Sequence, residues 1–554
     1  EVVVTGYGVV QARQETQPAG GYSAFRKYVR ENIQFPEASP LSSAVVRLSF
    51  TVTESGQLKD IKILIRKYND SLWFGHRPES DLMLEYNHVF INNYKLDTCK
   101  IIDKLQELAE SGIENYYDDV EFWLLFDDYE IDCDEKKHTI SHIFSESKVG
   151  VIYGSAGVGK STLINHVSHY LKDAGKLYLT QTNPAKENLM RKVDAENTTF
   201  STIASFLNQG SSITEYELLV IDECSTVSNR DMVAVLEKAN FKMLLLVGDT
   251  YQIDAIQFGN WFSVLKSFLP QSAVFELTQP HRTKDVRLLE LWDKVRHMED
   301  TAKEVIERES YSLKVDETLL SSLEPGEAIL CLNYDGLYGI NNINRFLQES
   351  NPSPAVSWDI QQYKVRDPIL FLDSDRFRPV IHNNMKGIIQ GVEIIDKGTN
   401  EERIQFDVEI PKEVDEFEIS GCDLQLLEYN KPEKSLIRFY VYKLKSVDDD
   451  GDDQSSRTVV PFQVAYAVSI HKAQGLEYNS VKIVITDEVE ELVTHNIFYT
   501  AITRAREKLK IYWTPEVEEK VINRIKPREI SKDVELLKHY LTDKKKNSSL
   551  DFLL

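Results

Sequence analysis

The chain has 554 residues, 42% of them hydrophobic and 27% charged, with 64 Lys plus Arg against 88 Asp plus Glu and a formal net charge of −24. That length calls for three or four units, and the balance is globular rather than disordered or fibrous. The charge excludes a globally basic nucleic-acid coat but leaves room for a local basic groove.

No run of 18 apolar residues occurs, so no transmembrane helix is readable and no membrane role is expected. The start, EVVVTGYGVV, lacks the basic first region and pure apolar run of a secretory signal. Five scattered cysteines with no CxxC pair fit a reducing, cytoplasmic location rather than a disulfide framework or a cysteine zinc site.

In chain order, 22–35 has helical apolar spacing, 45–52 alternates like a strand, 54–56 is a turn, and 58–65 reads as a second strand. Through GGYSAFRKYVRENIQFPE and VVRLSFTVTESGQLKDIKIL, residues 1–66 resemble the C-terminal domain of TonB-type energy transducers. EVVVTGYG resembles a segment of Bacteroidetes outer-membrane transporters. Both resemblances stop near Arg66, which reads as a fused segment or a small accessory hairpin. Residues 67–135 form an acidic accessory region, with eleven Asp/Glu and no Lys/Arg between Glu110 and Glu135. A solvated helical face is the simpler account of that run, and a nucleic-acid mimic or partner-binding face the sharper one. Trp123, Leu124, Leu125 and Phe126 argue that part of this stretch is buried.

From about 136 the pattern is α/β. Short Val/Ile/Leu runs at 149–154, 176–180, 217–223 and 242–249 alternate with helical spacing and end at polar or glycine-rich corners. That predicts a parallel sheet with ligand groups at the strand C-termini. A second set follows at 327–333, 460–468, 480–486 and 508–513, interrupted by a β-rich stretch. The acidic loop 448–453 reads as solvated linker.

Gly154-Ser-Ala-Gly157-Val-Gly159-Lys160-Ser161 matches G-x-x-x-x-G-K-[ST] between a strand and a helix. Its glycines let backbone N–H groups wrap a phosphate chain at a helix N-terminus. Lys160 then neutralises the β- and γ-phosphates, and Ser161, with Thr162 behind it, ligates Mg²⁺. Asp222-Glu223 closes a later apolar strand: Asp222 suits Mg²⁺, and Glu223 suits the base that deprotonates water. No Gln occurs between Gln106 and Gln181, so an upstream adenine-reading amide of that kind is missing.

Further on come Gly248-Asp-Thr-Tyr-Gln252, Thr278-Gln-Pro-His-Arg282, Ser469-Ile-His471-Lys-Ala-Gln474-Gly-Leu-Glu477 and Tyr499-Thr-Ala-Ile-Thr-Arg504-Ala-Arg506, the last expected to open the final helical stretch. In this order and spacing, over about 136–515, the series resembles the superfamily 1 helicases and most closely the RecD/Pif1/Dda-like branch, 1B. The resemblance implies two RecA-like P-loop domains, 136–280 and 281–380 with 457–554, and an SH3-like insert at 381–456. It implies ATP and Mg²⁺ in the cleft and movement on single-stranded DNA, usually 5′ to 3′. Gln252 becomes the γ-phosphate sensor, Arg282 and Arg504 the arginine fingers, and Glu477 a nucleotide contact. Thr182, Asn183, Thr202, Ser469, His471 and Gln474 become strand contacts. Helix caps or turns account equally well for the isolated hydroxyls. Phe206, Trp261 and Phe262 read as core first and base-stacking second.

Two departures stand out. Only Asn208 to Tyr216 separates an early helix from the Asp222 strand, leaving little room for a duplex-splitting hairpin there. Ser469 stands where the family commonly has Thr. The alternatives are an RNA helicase, or a nucleotide-dependent regulatory ATPase with a protein partner docked through residues 1–135.

Overall fold

The computed structural model describes residues 61–551, apart from 73–79, 87, 128, 211–213, 282, 321–325, 373–374, 379, 428–430, 444–456 and 527–529, together with the paired strands Val2–Val3 and Arg47–Leu48. The helix expected over 22–35, the turn at 54–56, Arg282 and the loop 448–453 lie outside the described residues.

The first domain is a six-stranded parallel sheet. In sheet order its strands are Val274–Leu277, Val149–Gly154, Asn240–Gly248, Glu215–Ile221, Lys176–Thr180 and Thr198–Thr202. Period-two alternation explains the unbroken apolar runs. Val149, Val151, Leu219, Ile221, Leu244 and Leu246 pack into one core, whereas Ile152, Leu218, Val220, Leu245 and Val247 pack into the core on the opposite face.

The second domain is a five-stranded parallel sheet ordered Ser312–Leu313, Ala505–Tyr512, Tyr478–Val484, Glu327–Cys331 and Ala467–Ser469. Between its strands the chain builds a six-stranded antiparallel sheet: Gln425–Leu427, Ser435–Tyr442, Arg403–Ile410, Lys386–Ile395, Pro368–Phe371 and Phe462–Val464. The architecture is thus α/β, with two parallel-sheet domains and a β-rich insert.

Several elements differ from expectation. The second strand expected at 58–65 is instead the start of a helix, Ile61–Ser71, with Ile61 and Ile65 buried on one face and Ile63 exposed. The alternating run I-K-I-L-I fits either period, and the stripe at 61 and 65 decides for the helix. The single strand expected over 460–468 is two strands in different sheets, Phe462–Val464 and Ala467–Ser469. The antiparallel sheet therefore reaches beyond 381–456, taking in Pro368–Phe371 and Phe462–Val464. The segment Tyr499 to Arg506 closes a helix, His495–Ile502, and begins a strand, Ala505–Tyr512.

The last helix, Ser531–Asp551, was expected with the second domain. Leu536, Leu537 and Leu541 instead lie in the first domain's core with Phe90, Ile101 and Leu105. The acidic helix Tyr116–Phe126 buries Tyr116 and Val120 against the first domain's other face. Its Trp123 and Leu124 are half-buried, as the expectation of partial burial required, and Leu125 and Phe126 are exposed at 76% and 72%. Phe206, Trp261 and Phe262 are core residues.

Candidate functional site

The glycine loop leaves the strand Val149–Gly154 and enters the helix Lys160–Tyr170. Gly157 and Gly159 have φ of +85° and +82°, a region that glycine enters at little cost. Lys160 Nζ donates to the carbonyls of Gly154 and Ser155 at 2.8 and 2.9 Å. It thus rests on the loop that would surround a phosphate chain. Ser161 and Thr162 occupy the first turn of the helix, partly exposed.

Asp222 and Glu223 end the neighbouring strand. The Glu223 N–H donates to Asp222 Oδ1 at 2.8 Å. Burial raises the Asp222 carboxyl pKa above the usual range, with that N–H, Lys160 and Lys192 acting in the other direction. Glu223 is pushed up to about 7, first by burial and then by the Asp222 charge, against the pull of Arg504, Lys160 and Lys192. Its Oε2 is buried without a hydrogen-bond partner, and its backbone sits at φ +55°. A carboxyl so placed is a candidate proton acceptor.

The second domain closes on this site through the helix His495–Ile502. Tyr499 Oη accepts from the Ala156 N–H in the glycine loop at 3.3 Å. Thr500 Oγ1 accepts from the Ile253 N–H at 2.9 Å. Asn496 Nδ2 donates to the Gln252 carbonyl at 2.8 Å. The Gln252 side chain donates to Asp249 at 3.4 Å. Arg504, 3% exposed, donates through Nε to the Thr500 carbonyl at 3.0 Å and through Nη1 to the Leu476 carbonyl at 3.2 Å. Its charge is near enough to act on Glu223 across the cleft.

Glu477 is held by Arg506, whose Nε and Nη2 donate to Oε2 at 2.8 and 2.6 Å. That ion pair, unforeseen in the sequence, occupies the carboxylate expected to meet the nucleotide.

The expected strand contacts fall on facing edges of the two domains. Thr182 and Thr202 cap the helices Asn183–Lys192 and Ile203–Asn208, accepting from the Ala185 and Ser205 N–H groups at 3.3 and 3.2 Å. Asn183 is half-buried in the first turn behind Thr182. Ser469 is buried, and its hydroxyl accepts from the Lys472 N–H at 3.1 Å. His471 is exposed, and the Gln474 N–H donates to its carbonyl at 3.2 Å. Gly475, at φ +71°, approaches Ala185 so closely that a Cβ there would lie 3.4 Å from Ala185 Cα. The turn 469–475 therefore meets the helix whose N-terminus carries Thr182 and Asn183.

Three groups at the site went unforeseen. Lys136 packs against Gly159. Tyr499 reaches the loop from the second domain. Arg296, also from that domain, donates to Glu276 at 3.1 Å and stands over the Tyr251 ring at 4.9 Å. Arg296 lies in no motif, and Tyr499 heads the series to Arg506 with nothing in the sequence to show that it crosses the domain boundary.

The family model described as "AAA domain" matches residues 134–312, and that described as "UvrD-like helicase C-terminal domain" matches 464–512. An uncharacterized protein of Methanocaldococcus jannaschii, MJ1519, is 24% identical over 499 residues, covering 75% of this chain and 40% of that protein. The ATP-dependent DNA helicase Pif1 of Campylobacter jejuni is 25% identical over 316 residues, covering 52% of this chain and 67% of that helicase. The chain thus spans about two fifths of the archaeal relative and about two thirds of the bacterial one. Among solved structures, Bacteroides Pif1 bound to single-stranded DNA aligns at 15% identity and a TM-score of 0.45, over 75% of this chain and 98% of that one. With the ordered series from Gly154 to Arg506, the family models and the Pif1 and RecD relatives make this chain similar to the Pif1/RecD-like branch, 1B, of the superfamily 1 helicases.

Proposed function

We propose that this protein is an ATP-dependent DNA helicase or translocase that moves on single-stranded DNA, 5′ to 3′. One observation carries the reading: a glycine loop, an acid pair with Asp222 buried, and an arginine from a second parallel-sheet domain converge on one cleft.

The residues fit a Mg²⁺–nucleotide. Lys160 rests on the loop carbonyls of Gly154 and Ser155, beside which a bound phosphate chain would lie. Ser161 and Asp222 would hold the ion, which when bound neutralises charge developing on the phosphates. Glu223, with its unpartnered oxygen, takes the proton of the attacking water. Gln252 orients that water. Arg504, joined by Arg282, supplies charge from the far domain only when the cleft is closed, which couples hydrolysis to domain motion. Thr182, Asn183, Thr202, Ser469, His471 and Gln474 hold the strand by its backbone. Capping hydroxyls at helix N-termini are suited to phosphate contact without base reading.

A second reading, a regulatory ATPase with a protein partner, is favoured by the exposed Phe122, Leu125 and Phe126 on the helix Tyr116–Phe126. The discriminating experiment is the steady-state ATPase rate with single-stranded DNA, single-stranded RNA or duplex, with Lys160→Ala as the blank. Stimulation by single-stranded DNA that the variant abolishes supports the translocase. RNA-selective stimulation moves the substrate to RNA. Hydrolysis indifferent to all three refutes the translocase and favours the regulatory reading.

A further inference from the structure

The helix Tyr116–Phe126 carries an apolar surface that neither the core nor the nucleotide site uses. Tyr116 and Val120 anchor it in the first domain, and Trp123 and Leu124 are half-buried beside them. Phe122, Leu125 and Phe126 are exposed. Their spacing of three and four residues puts them on one stripe of the helix. The Phe122 and Phe126 rings lie 4.5 Å apart between centroids. Tyr117, on the same helix, is exposed as well. An apolar side chain alone on a surface needs no explanation, but a contiguous cluster marks an interaction surface.

The charge around the stripe restricts what can cover it. Asp118, Asp119 and Glu121 stand one turn before Phe122 and Leu125, and Asp127 follows Phe126. Asp118, Asp119 and Asp127 are exposed, and no Lys or Arg occurs between Glu110 and Glu135. Glu121 accepts from the Ser141 hydroxyl at 2.7 Å and Asp127 from the Tyr129 N–H at 3.1 Å. Among the described residues, none of these carboxylates forms an ion pair.

Such unneutralised charge repels a nucleic-acid backbone and an anionic membrane surface. A second copy of this chain would bring the same acidic rim against itself, on a molecule of net charge −24. An amphipathic segment of another protein fits both features. Its apolar residues at helical spacing would pack on the stripe, and flanking Lys or Arg would meet the rim.

We propose that the exposed face of the helix Tyr116–Phe126 is a docking site for a basic amphipathic helix of a partner protein. Naming that partner's chemistry deepens the regulatory reading and rests on it for a biological role, but the docking itself needs no nucleotide turnover. The probe is a fluorescein-labelled synthetic helix of Leu and Lys, titrated with the full chain and followed by anisotropy. A Leu and Glu helix of the same pattern is its control. The Leu/Lys helix is expected to bind at a single site, and the Leu/Glu helix not to bind. Leu125→Ser with Phe126→Ser changes two exposed positions. It should leave the melting temperature unchanged and weaken binding about thirtyfold, the scale of one interface hot spot. Asp118→Asn with Asp119→Asn should weaken binding severalfold and flatten its salt dependence, and serves where the serine variant fails to fold. Equal affinity in the folded serine variant overturns the proposal, because attraction to net charge alone would then account for binding. Equal binding of the Leu/Glu helix overturns it too. So does a dimer in sedimentation velocity that the serine variant dissociates, since a second copy then covers the stripe. Strand-stimulated ATPase in a chain that ignores the Leu/Lys helix would sink this inference and keep the translocase. Docking by a chain whose ATPase is indifferent to nucleic acid would do the reverse.

Discussion

Replacing Glu223 with Gln should damage catalysis and stabilise the fold, and that opposition tests the reading of the acid pair. Burial, and then the Asp222 charge, push the folded carboxyl up to about 7 from its ordinary 4.5. Below pH 4.5 both folded and unfolded states hold the proton, and the shift has no effect. Between 4.5 and 7 the unfolded chain releases its proton first, so stability falls as pH rises. Above 7 the loss is complete. At 1.36 kcal/mol per pH unit, the interval from 4.5 to about 7 corresponds to about 3 kcal/mol. Gln keeps the shape and the φ of +55° but cannot ionise, so Glu223→Gln should be more stable than wild type by up to that amount at pH 8 and equal to it near pH 4.5. Loss of the base should lower the strand-stimulated kcat by about 10²- to 10⁴-fold. Wild-type kcat/KM should rise with pH through an inflection near 7, and that of the variant should not. The assay pairs thermal melts at pH 5 and pH 8 with ATPase rates across that range. A variant less stable than wild type at pH 8, or one that keeps the inflection, would refute the argument.

Other perturbations probe the surroundings. Leu537→Ala removes a fully buried side chain from the first domain's core and should cost about 2–4 kcal/mol, read as a lower melting temperature, although the residue lies near the end of the chain. Gly475→Ala forces a Cβ into the φ +71° region against Ala185 and should cost about 1 kcal/mol; the single-stranded DNA concentration for half-maximal ATPase should rise severalfold while the melting temperature changes little. Lys386 is held down to about 7, chiefly by burial and then by Arg191, with its Nζ 3.5 Å over the Tyr478 ring. The folded state binds that proton more weakly than the unfolded state, so the cost of the buried charge is full below pH 7 and fades as pH rises toward 10.5. Lys386→Met should therefore raise the melting temperature at pH 6.5 more than at pH 9.5; equal shifts at both would remove burial of the charge as the cause.

The unbroken apolar strands, the glycine loop and the acid pair were legible because each is a local pattern. A strand buried on both faces reads as a continuous apolar run, and a loop that wraps phosphate needs glycines at set spacing. Lys160, Asp222 and Glu223 follow from those patterns alone, and the order of the later motifs was enough to raise the family. What the sequence could not decide was partner choice. The run 460–468 is apolar but for Gln463, and only hydrogen bonding to Pro368–Phe371 on one side and Glu327–Cys331 on the other divides it between two sheets. I-K-I-L-I at 61–65 fits both periods until one face has something to pack against. The helix Ser531–Asp551 returns to the first domain because its leucines complete a core formed some four hundred residues earlier. The same holds at the site: Tyr499 on the glycine loop, Arg506 on Glu477 and Lys136 beneath Gly159 each join residues from different elements. Burial and opposite charge select such pairings only once the chain has folded, and the same tertiary burial, with Asp222 beside it, raises the Glu223 carboxyl.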